Sequence, residues 1–356
     1  MRTCCSIALL SLLCLARPAA AEEPRLRLRG QMMSRFETAQ QSDDDWASDF
    51  VLRRARVEAR WEIEKLVRLV AELEASDGEA ELRDAYGRLS FAPWLRLSAG
   101  YLKKPFSRLR LEALADLPVP ERGLLDRHVV RRTRHGGFGG RDIGAMLSGR
   151  VKPLARLRYS VGAFAGPETL AGRNESHHDI VARLQLRPFK GARLAANSSH
   201  KRYDLGEDHR WAHLFGGDLR YRLGGLTVQA EGGYGDNVDA GPGHRLWAVH
   251  LLAAYQHRFS SLHLLGQPLG LTPAVMFEVF DPDDDVADGR AYRVLGGINF
   301  DVGEIARLRL FAEGTGGEPL AVDPEQEGAV EPLTSWTRVM VQLDLYLGWQ
   351  SEPTEE

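Results

Sequence analysis

The chain has 356 residues, with 46 lysines and arginines against 49 aspartates and glutamates and a formal net charge of −3. So even a total singles out no charged partner and gives no reason to expect nucleic acid, and the distribution of the charges carries the information instead. Forty of the basic residues are arginine and six are lysine, and all three cysteines, Cys4, Cys5 and Cys14, lie near the amino terminus.

Residues 1–21 begin with Arg2, continue with an apolar run from Cys4 to Ala16 and end on Ala19, Ala20 and Ala21 before Glu22. This is the layout of a cleaved secretory signal, and the run is shorter than the about 20 apolar residues of a membrane-spanning helix. Cleavage after Ala21 removes every cysteine and leaves 44 basic against 49 acidic residues. A mature chain of that kind has no disulfide and no cysteine-based metal or catalytic site.

The next segment, RLRLRGQMMSRFE from Arg25 to Glu37, alternates arginine with leucine at its start. A period of two is the signature of a β-strand with unlike faces. Further segments of this kind are expected at 50–64, 66–74, 80–91, 94–103, 141–150, 155–165, 178–187, 191–199, 210–223, 225–235, 244–258, 271–280, 290–301, 305–313 and 335–349. The last places Val339, Val341, Leu343, Leu345, Leu347 and Trp349 on one face. Residues 51–74 also suit a helix, with Leu52, Ala55, Ala59, Ile63, Leu66, Val70 and Leu73 at helical spacing. Ala55, Val57, Ala59, Trp61 and Ile63 alternate equally well with Arg54, Arg56, Glu58, Arg60 and Glu62, and agreement with the neighbouring segments favours strands.

Sixteen alternating segments point to an all-β fold, a transmembrane antiparallel barrel over 22–349 followed by a short acidic tail at 350–356. Such barrels alternate short turns with long loops. The short connections are Glu64-Lys65, Ala92-Pro93, Val151 to Leu154, Pro188 to Lys190, Gly224-Gly225 and Val302 to Glu304. The long ones are Thr38 to Asp49, Lys104 to Gly140, Gly166 to His177, Lys201 to His209, Asp236 to Gly243, Asp281 to Gly289 and Gly314 to Thr334. Two connections break the rhythm: Ala75 to Glu79 is short where a long one is due, and Phe259 to Gly270 is long where a short one is due.

The block LRRARVEARWEIEKLVRLVAELE, the strand opening on Asp84-Ala85-Tyr86, the stretch Gly100 to Phe106 with its Lys-x-Pro-Phe ending, Glu121-Arg122 and the returning strand Arg141 to Gly149 carry a resemblance. Over about residues 50–165 the chain resembles the phosphate-selective porins of the O and P type. The resemblance implies a sixteen-stranded bacterial outer-membrane barrel, commonly a homotrimer, that passes small anions by diffusion through an arginine-lined channel. The implied surroundings are outer-membrane lipid and lipopolysaccharide, with small anions as permeants: phosphate, polyphosphate or small organic acids. The tail departs from the pattern, because Gln350 to Glu356 follow Trp349 where such barrels often end on an aromatic residue.

Arginine facing lipid near the bilayer centre costs about 2–4 kcal/mol, so the polar face must line the lumen. This rule assigns Arg25, Arg27, Arg29, Arg35, Arg54, Arg56, Arg60, Arg68, Arg88, Arg96, Arg158, Arg183, Arg187, Arg193, Arg220, Arg222, Arg293, Arg307, Arg309 and Arg338 to the inside. The acids on the same face are Glu58, Glu62, Glu64, Glu72, Glu74, Asp84, Asp218, Glu231, Glu313 and Asp344, half as many. Excess arginine favours anions by its field and by forked hydrogen bonds to oxyanions, unless the acids neutralise it.

The longest connection, Lys104 to Gly140, adds Lys104, Arg108, Arg110, Arg122, Arg127, Arg131, Arg132 and Arg134, and is expected to fold inward and narrow the channel, with Arg141 at its exit. The expected lining is therefore these residues with Arg27, Arg29, Arg54, Arg56, Arg60, Arg88, Arg96, Arg158, Arg220 and Arg222. The aspartates of DPDDDVADG at 281–289 could ligate a hard cation such as calcium, but the segment lacks the glycine and terminal glutamate of a twelve-residue calcium loop, which favours a solvated acidic turn over a calcium site. No His-x-x-x-His, Gly-x-Ser-x-Gly or Walker-type motif is present, so neither an enzyme nor a cofactor is expected. The alternatives are a weakly selective general porin, an adhesive or enzymatic outer-membrane barrel, and a secreted soluble β-protein.

Overall fold

The structure is a computed structural model that describes residues 24–41, 45–76, 79–131, 133, 137–152, 156–166, 178–205, 208–286, 289–317 and 336–350. The signal segment, most of the acidic tail, Arg132 and Arg134 lie outside the described residues. The strands are β1 (Arg25–Gln41), β2 (Ala47–Ile63), β3 (Val67–Ser76), β4 (Glu79–Ala92), β5 (Leu95–Lys103), β6 (Arg141–Val151), β7 (Leu157–Phe164), β8 (Asp179–Leu186) and β9 (Ala192–Leu205). They continue with β10 (Asp208–Leu223), β11 (Leu226–Asp236), β12 (Arg245–Tyr255), β13 (His257–Leu264), β14 (Gln267–Asp281), β15 (Ala291–Val302), β16 (Ala306–Gly317) and β17 (Trp336–Gln350).

β12 and the start of β13 keep one register on β14, with Ala254 opposite Ala274 and His257 opposite Leu271, so they form a single wall strand interrupted at Gln256, and the register shifts only further on, between Arg258 and His263. Among the described residues the wall is thus sixteen antiparallel strands, and β1 pairs with both β2 and β17 to close it. Closure leaves no sheet edge with unpaired backbone groups. Residues 51–74, which also fit a helix, are most of β2 and most of β3, with Val57 opposite Leu73 across the hairpin.

The anomalous connection at 259–270 is a two-residue turn, Leu265-Gly266, between strands that run almost to it. Leu265 at φ 53 and Gly266 at φ 75 both take the left-handed conformation that a tight hairpin demands. A leucine rarely accepts that conformation, so its local sequence does not advertise a turn. The expected long loop at 201–209 also shrinks, because β9 extends to Leu205 and β10 starts at Asp208. Glu64, expected on the wall, sits in the turn before β3 at φ 49.

The outward face is apolar: Leu69, Leu184, Leu251, Val275 and Val339 are exposed, while their neighbours in sequence turn inward. Exposed aromatic residues cluster at both rims, Phe91, Trp94 and Phe189 at the short-turn end and Phe50, Trp211, Tyr234 and Tyr292 at the other. Such girdles flank the apolar band of outer-membrane barrels.

Residues 104–140 fold into the barrel. Backbone N–H of Lys104 donates to the Gly140 carbonyl at 2.9 Å, which closes the neck of the loop. Inside are a short helix, α1 (Arg108–Leu111), a 3-10 turn (Leu114–Asp116) and a π-helical turn (Asp126–Val130). The loop's apolar side chains pack onto the inner wall in two clusters. Phe106, Leu124, Leu125, Val129, Val130 and Phe138 meet Phe164, Val181, Leu214, Leu246, Ala248 and Phe280. Leu109, Leu114, Leu117 and Val119 meet Met33, Leu252, Ala254, Ala274, Met276, Leu295, Phe311 and Met340. The expectation of a polar inner face therefore fails on this side, because the wall there is covered by protein rather than water.

Candidate channel constriction

The loop is fastened to the covered half of the wall by buried charge. Arg309 donates to Asp344 at 2.6 Å and to the Leu117 carbonyl at 2.9 Å, and Arg307 donates to the Ala115 carbonyl at 2.9 Å. Arg293 is held by Glu278 and Glu313 and donates to the Arg122 carbonyl at 2.8 Å. Asn299 reaches the Pro118 carbonyl at 2.8 Å. Arg35, Arg293 and Arg309 are almost fully buried, so these expected lumen arginines clamp the loop and do not face open space. Lys104 likewise lies in a buried network with Asp142, Asp179 and Lys201. Arg108 is bonded to Asp218 at 2.7 Å, with its backbone N–H and that of Leu109 donating to Glu231.

Because the loop occupies the β7–β17 side, the space left open lies between its other face and β2–β6. This cavity, about 110 Å³, is lined by Arg53, Arg54, Arg56, Arg83, Lys103, Arg110, Arg122, Arg127, Arg131 and Arg141, with Glu74, Glu121 and Asp126 as its acids. Of the expected lining, Arg54, Arg56, Arg110, Arg122, Arg127, Arg131 and Arg141 meet here.

Two of the lining arginines escape a strict reading of alternation. The β1–β2 register shifts between Met33 and Ser34, passing from Arg54 to Leu52 and skipping Arg53. The β3–β4 register shifts between Glu72 and Leu73, passing from Asp84 to Leu82 and skipping Arg83. A bulge adds one residue and re-aims its side chain. Arg53 thereby reaches both Glu121 oxygens at 3.2 Å, and Arg83 reaches Glu74 at 2.9 Å. Adjacent polar residues inside an alternating strand, Arg53-Arg54 and Arg83-Asp84, are the sequence signal for both bulges.

Lys103 and Arg141 enter by a different route. The last β4–β5 pair is Ala85 with Tyr101, whereas β5 and β6 stay paired to Lys103 with Arg141. Beyond Tyr101 the β5–β6 ribbon has left β4, and Arg141 donates to Asp84 at 2.9 Å and to Glu72 at 3.2 Å. Gly100 permits the departure: at φ 131, a Cβ there would sit 2.3 Å from the Ala85 carbonyl oxygen.

The carboxylates are heavily subscribed. Glu74 is gripped by Arg54 at 2.7 Å, by Arg83 and by Arg56. Glu121 takes Arg35 at 2.6 Å, Arg53 at 3.2 Å and Arg338 at 3.6 Å. Burial pushes the Glu121 carboxyl up, but Arg53, Arg35, Arg338 and Arg127 outweigh it and hold it well below the usual carboxylate range. Arg122 spends part of its donor set on the loop itself, at the Leu109 and Glu112 carbonyls, both 2.7 Å away.

The remaining expected residues line the wall toward the short-turn end. Arg27 lies opposite Arg60, and Arg29 opposite Glu58. Arg88 lies opposite Arg68 on β3 and donates to Ser98 on β5 at 3.0 Å. Arg96 lies opposite Ser148, and Arg158 opposite Arg150. Arg220 and Arg222 share Glu112 of the loop, at 2.7 and 3.5 Å.

No protein-family model matches this sequence, and no curated protein matches it. Solved structures do resemble it. The anion-selective porin from Comamonas acidovorans superposes with a TM-score of 0.69 at 11% identity, over 91% of this chain and 100% of that one. The outer-membrane channel DcaP of Acinetobacter baumannii gives 0.61 at 12% identity, over 91% and 97%. OmpF of Salmonella typhi gives 0.60 at 12% identity, over 90% and 97%. At such identities the likeness speaks for the fold, and the chain has the fold of a bacterial outer-membrane porin.

Proposed function

We propose that the protein is an outer-membrane porin through which small anions, phosphate among them, diffuse passively. The observation that carries the reading is the constriction, where ten basic side chains face three acidic ones. A constriction lined by fixed cations concentrates anions and repels cations. Guanidinium forks suit phosphate and carboxylate oxygens. The apolar outer belt supports residence in a lipid bilayer. The resemblance to the phosphate-selective O and P porins, export by the signal segment at 1–21 and assembly as a homotrimer belong to the same reading. The anion-selective porin among the similar structures agrees with it.

A weakly selective general porin is the second reading, and the pairing of Glu74 and Glu121 with three arginines each favours it. The test is the reversal potential of the purified protein in a planar bilayer under a potassium chloride gradient. A potential set by chloride supports the proposal. A value near zero favours the second reading, and a cation-set potential or no conductance overturns both.

A further inference from the structure

We propose that the long-loop rim of the barrel holds a site for a divalent transition metal of the zinc type, built by His244, Asp283 and Asp285. The inference goes beyond the channel reading above and stands without it.

Two loops meet at this point. Residues 237–244 join β11 to β12, residues 282–290 join β14 to β15, and Trp247 lies opposite Asp281 where β12 begins and β14 ends. Past that pair the loops are tied to each other. The Asp284 N–H donates to the Arg245 carbonyl at 2.9 Å, and the Asn237 side-chain amide donates to the Pro282 carbonyl at 2.6 Å. The Asn237 backbone N–H donates to the His244 carbonyl at 3.0 Å, which fixes the return of the first loop. His244 is thereby set against Asp283, with Nδ1 and Oδ2 2.7 Å apart. One ligand atom from each of His244, Asp283 and Asp285 lies within 4.8 Å of the other two. A tetrahedral zinc with bonds of about 2.0–2.1 Å spaces its ligand atoms roughly 3.3 Å apart, so side-chain rotation suffices to close the set.

The donor set selects the class of metal. DPDDDVADG by itself offers oxygen alone, whereas His244, 39 residues before Asp283, adds an imidazole nitrogen from another loop. Calcium and magnesium take shells of oxygen, while one imidazole with two carboxylates suits zinc and its first-row neighbours.

Charge balance is an independent observation. Buried carboxylates elsewhere in the protein hold a lysine or arginine, as Glu74, Asp179, Asp218, Glu313 and Asp344 do. Asp283 is only 8% exposed, yet among the described residues its ion-pair partner is His244 and neither a lysine nor an arginine. The two arginines beside it are committed to other acids, Arg245 to Asp236 at 2.7 Å and Arg290 to Asp281 at 2.9 Å. Asp284 and Asp285 follow directly and add two more carboxylates. A buried carboxylate short of counter-charge is costly, and a dication shared by Asp283 and Asp285 supplies that charge.

The site has a mechanical consequence. Val238 of the first loop and Phe280 near the end of β14 belong to the buried cluster that holds Phe106, Leu124 and Leu125 of the inward loop. A metal bridging residues 244 and 283–285 therefore clips together the rim against which the inward loop packs.

The test is calorimetric titration of the purified, folded barrel in detergent, stripped with a chelator and then given zinc chloride, with calcium chloride in parallel. One zinc per chain is expected, with calcium at least a hundredfold weaker. H244Q and D283N, each checked for folding by heat-modifiable gel mobility, should weaken zinc binding tenfold or more. H263Q, at the opposite rim, is the control and should bind zinc as the unaltered protein does. No zinc uptake, uptake unchanged in folded H244Q or D283N, or calcium bound as tightly as zinc overturns the site. The reversal potential under the salt gradient is measured apart from it, so the metal site and the channel reading fail separately.

Discussion

Replacing Glu121 by Gln tests the constriction most directly, because the two side chains have nearly the same shape and differ in charge. Glu121 is one of three acids among the lining, so the substitution raises the local excess of positive charge by one. For an ion about 6 Å away in water the lost interaction is about 0.7 kcal/mol, which screening at 0.1 M salt reduces to about 0.4 kcal/mol. Acting with opposite sign on anion and cation, it should raise the anion-to-cation permeability ratio roughly three- to fourfold. The same change leaves Arg35, only 2% exposed, without its carboxylate at 2.6 Å. Removing one partner of a buried pair costs about 3–5 kcal/mol, so loop docking should weaken as well. Single-channel conductance separates the two effects: tighter anion selectivity at unchanged conductance reports the charge, and larger, noisier currents report the loop. An unchanged permeability ratio at unchanged conductance would refute the placement of Glu121 at the constriction.

Other expectations follow from particular contacts. Burial, then Arg127 and Arg293, push the loop residue His128 down to about 3, so between that value and its ordinary pKa the imidazole is neutral when docked and charged when released. Its contribution to docking is full above about pH 6.5 and falls by about 1.4 kcal/mol per pH unit below it, so channel noise should grow from pH 6.5 to 4 and be suppressed in H128F. Asp179→Asn removes the carboxylate between Lys104 and Lys201, and should free the neck of the loop at a cost of about 3–5 kcal/mol, seen as faster proteolytic nicking within 104–140. Leu251→Arg places a charge on the exposed outer face and should lower the yield of folded barrel by an amount equivalent to about 2–4 kcal/mol. Gly100→Ala should also lower it, since its Cβ meets the Ala85 carbonyl; normal folding of that variant would contradict the account of how β5 leaves β4.

Much of the barrel was legible because a strand in a membrane wall separates solvents residue by residue. Alternation at Leu343, Leu345 and Leu347 needs no knowledge of the rest of the chain to assign an outer face. The same local rule fails where a third environment intervenes. β12 is apolar on both faces, with Leu251 toward lipid and Leu252 toward the loop, and a strand buried on both sides loses its alternation. RLWAVHLLAAY carried that signal, but alternation alone did not say what would cover its inner face.

The sequence by itself determined the strand number, the closure of the wall, the side of each strand that meets lipid and the existence of a long basic loop. Only the tertiary structure decided which arginines face open space. Arg309 and Arg54 occupy equivalent inward positions, yet one clamps the Leu117 carbonyl and the other lines the cavity. That division depends on where residues 104–140 come to rest, which is set by packing against strands as distant as β17. Arg53 and Arg83 depend on bulges, and Lys103 and Arg141 on two strands parting beyond Tyr101. Period two states which face a residue takes in an unbroken strand; it is silent wherever the backbone adds a residue, leaves its partner or is covered from within.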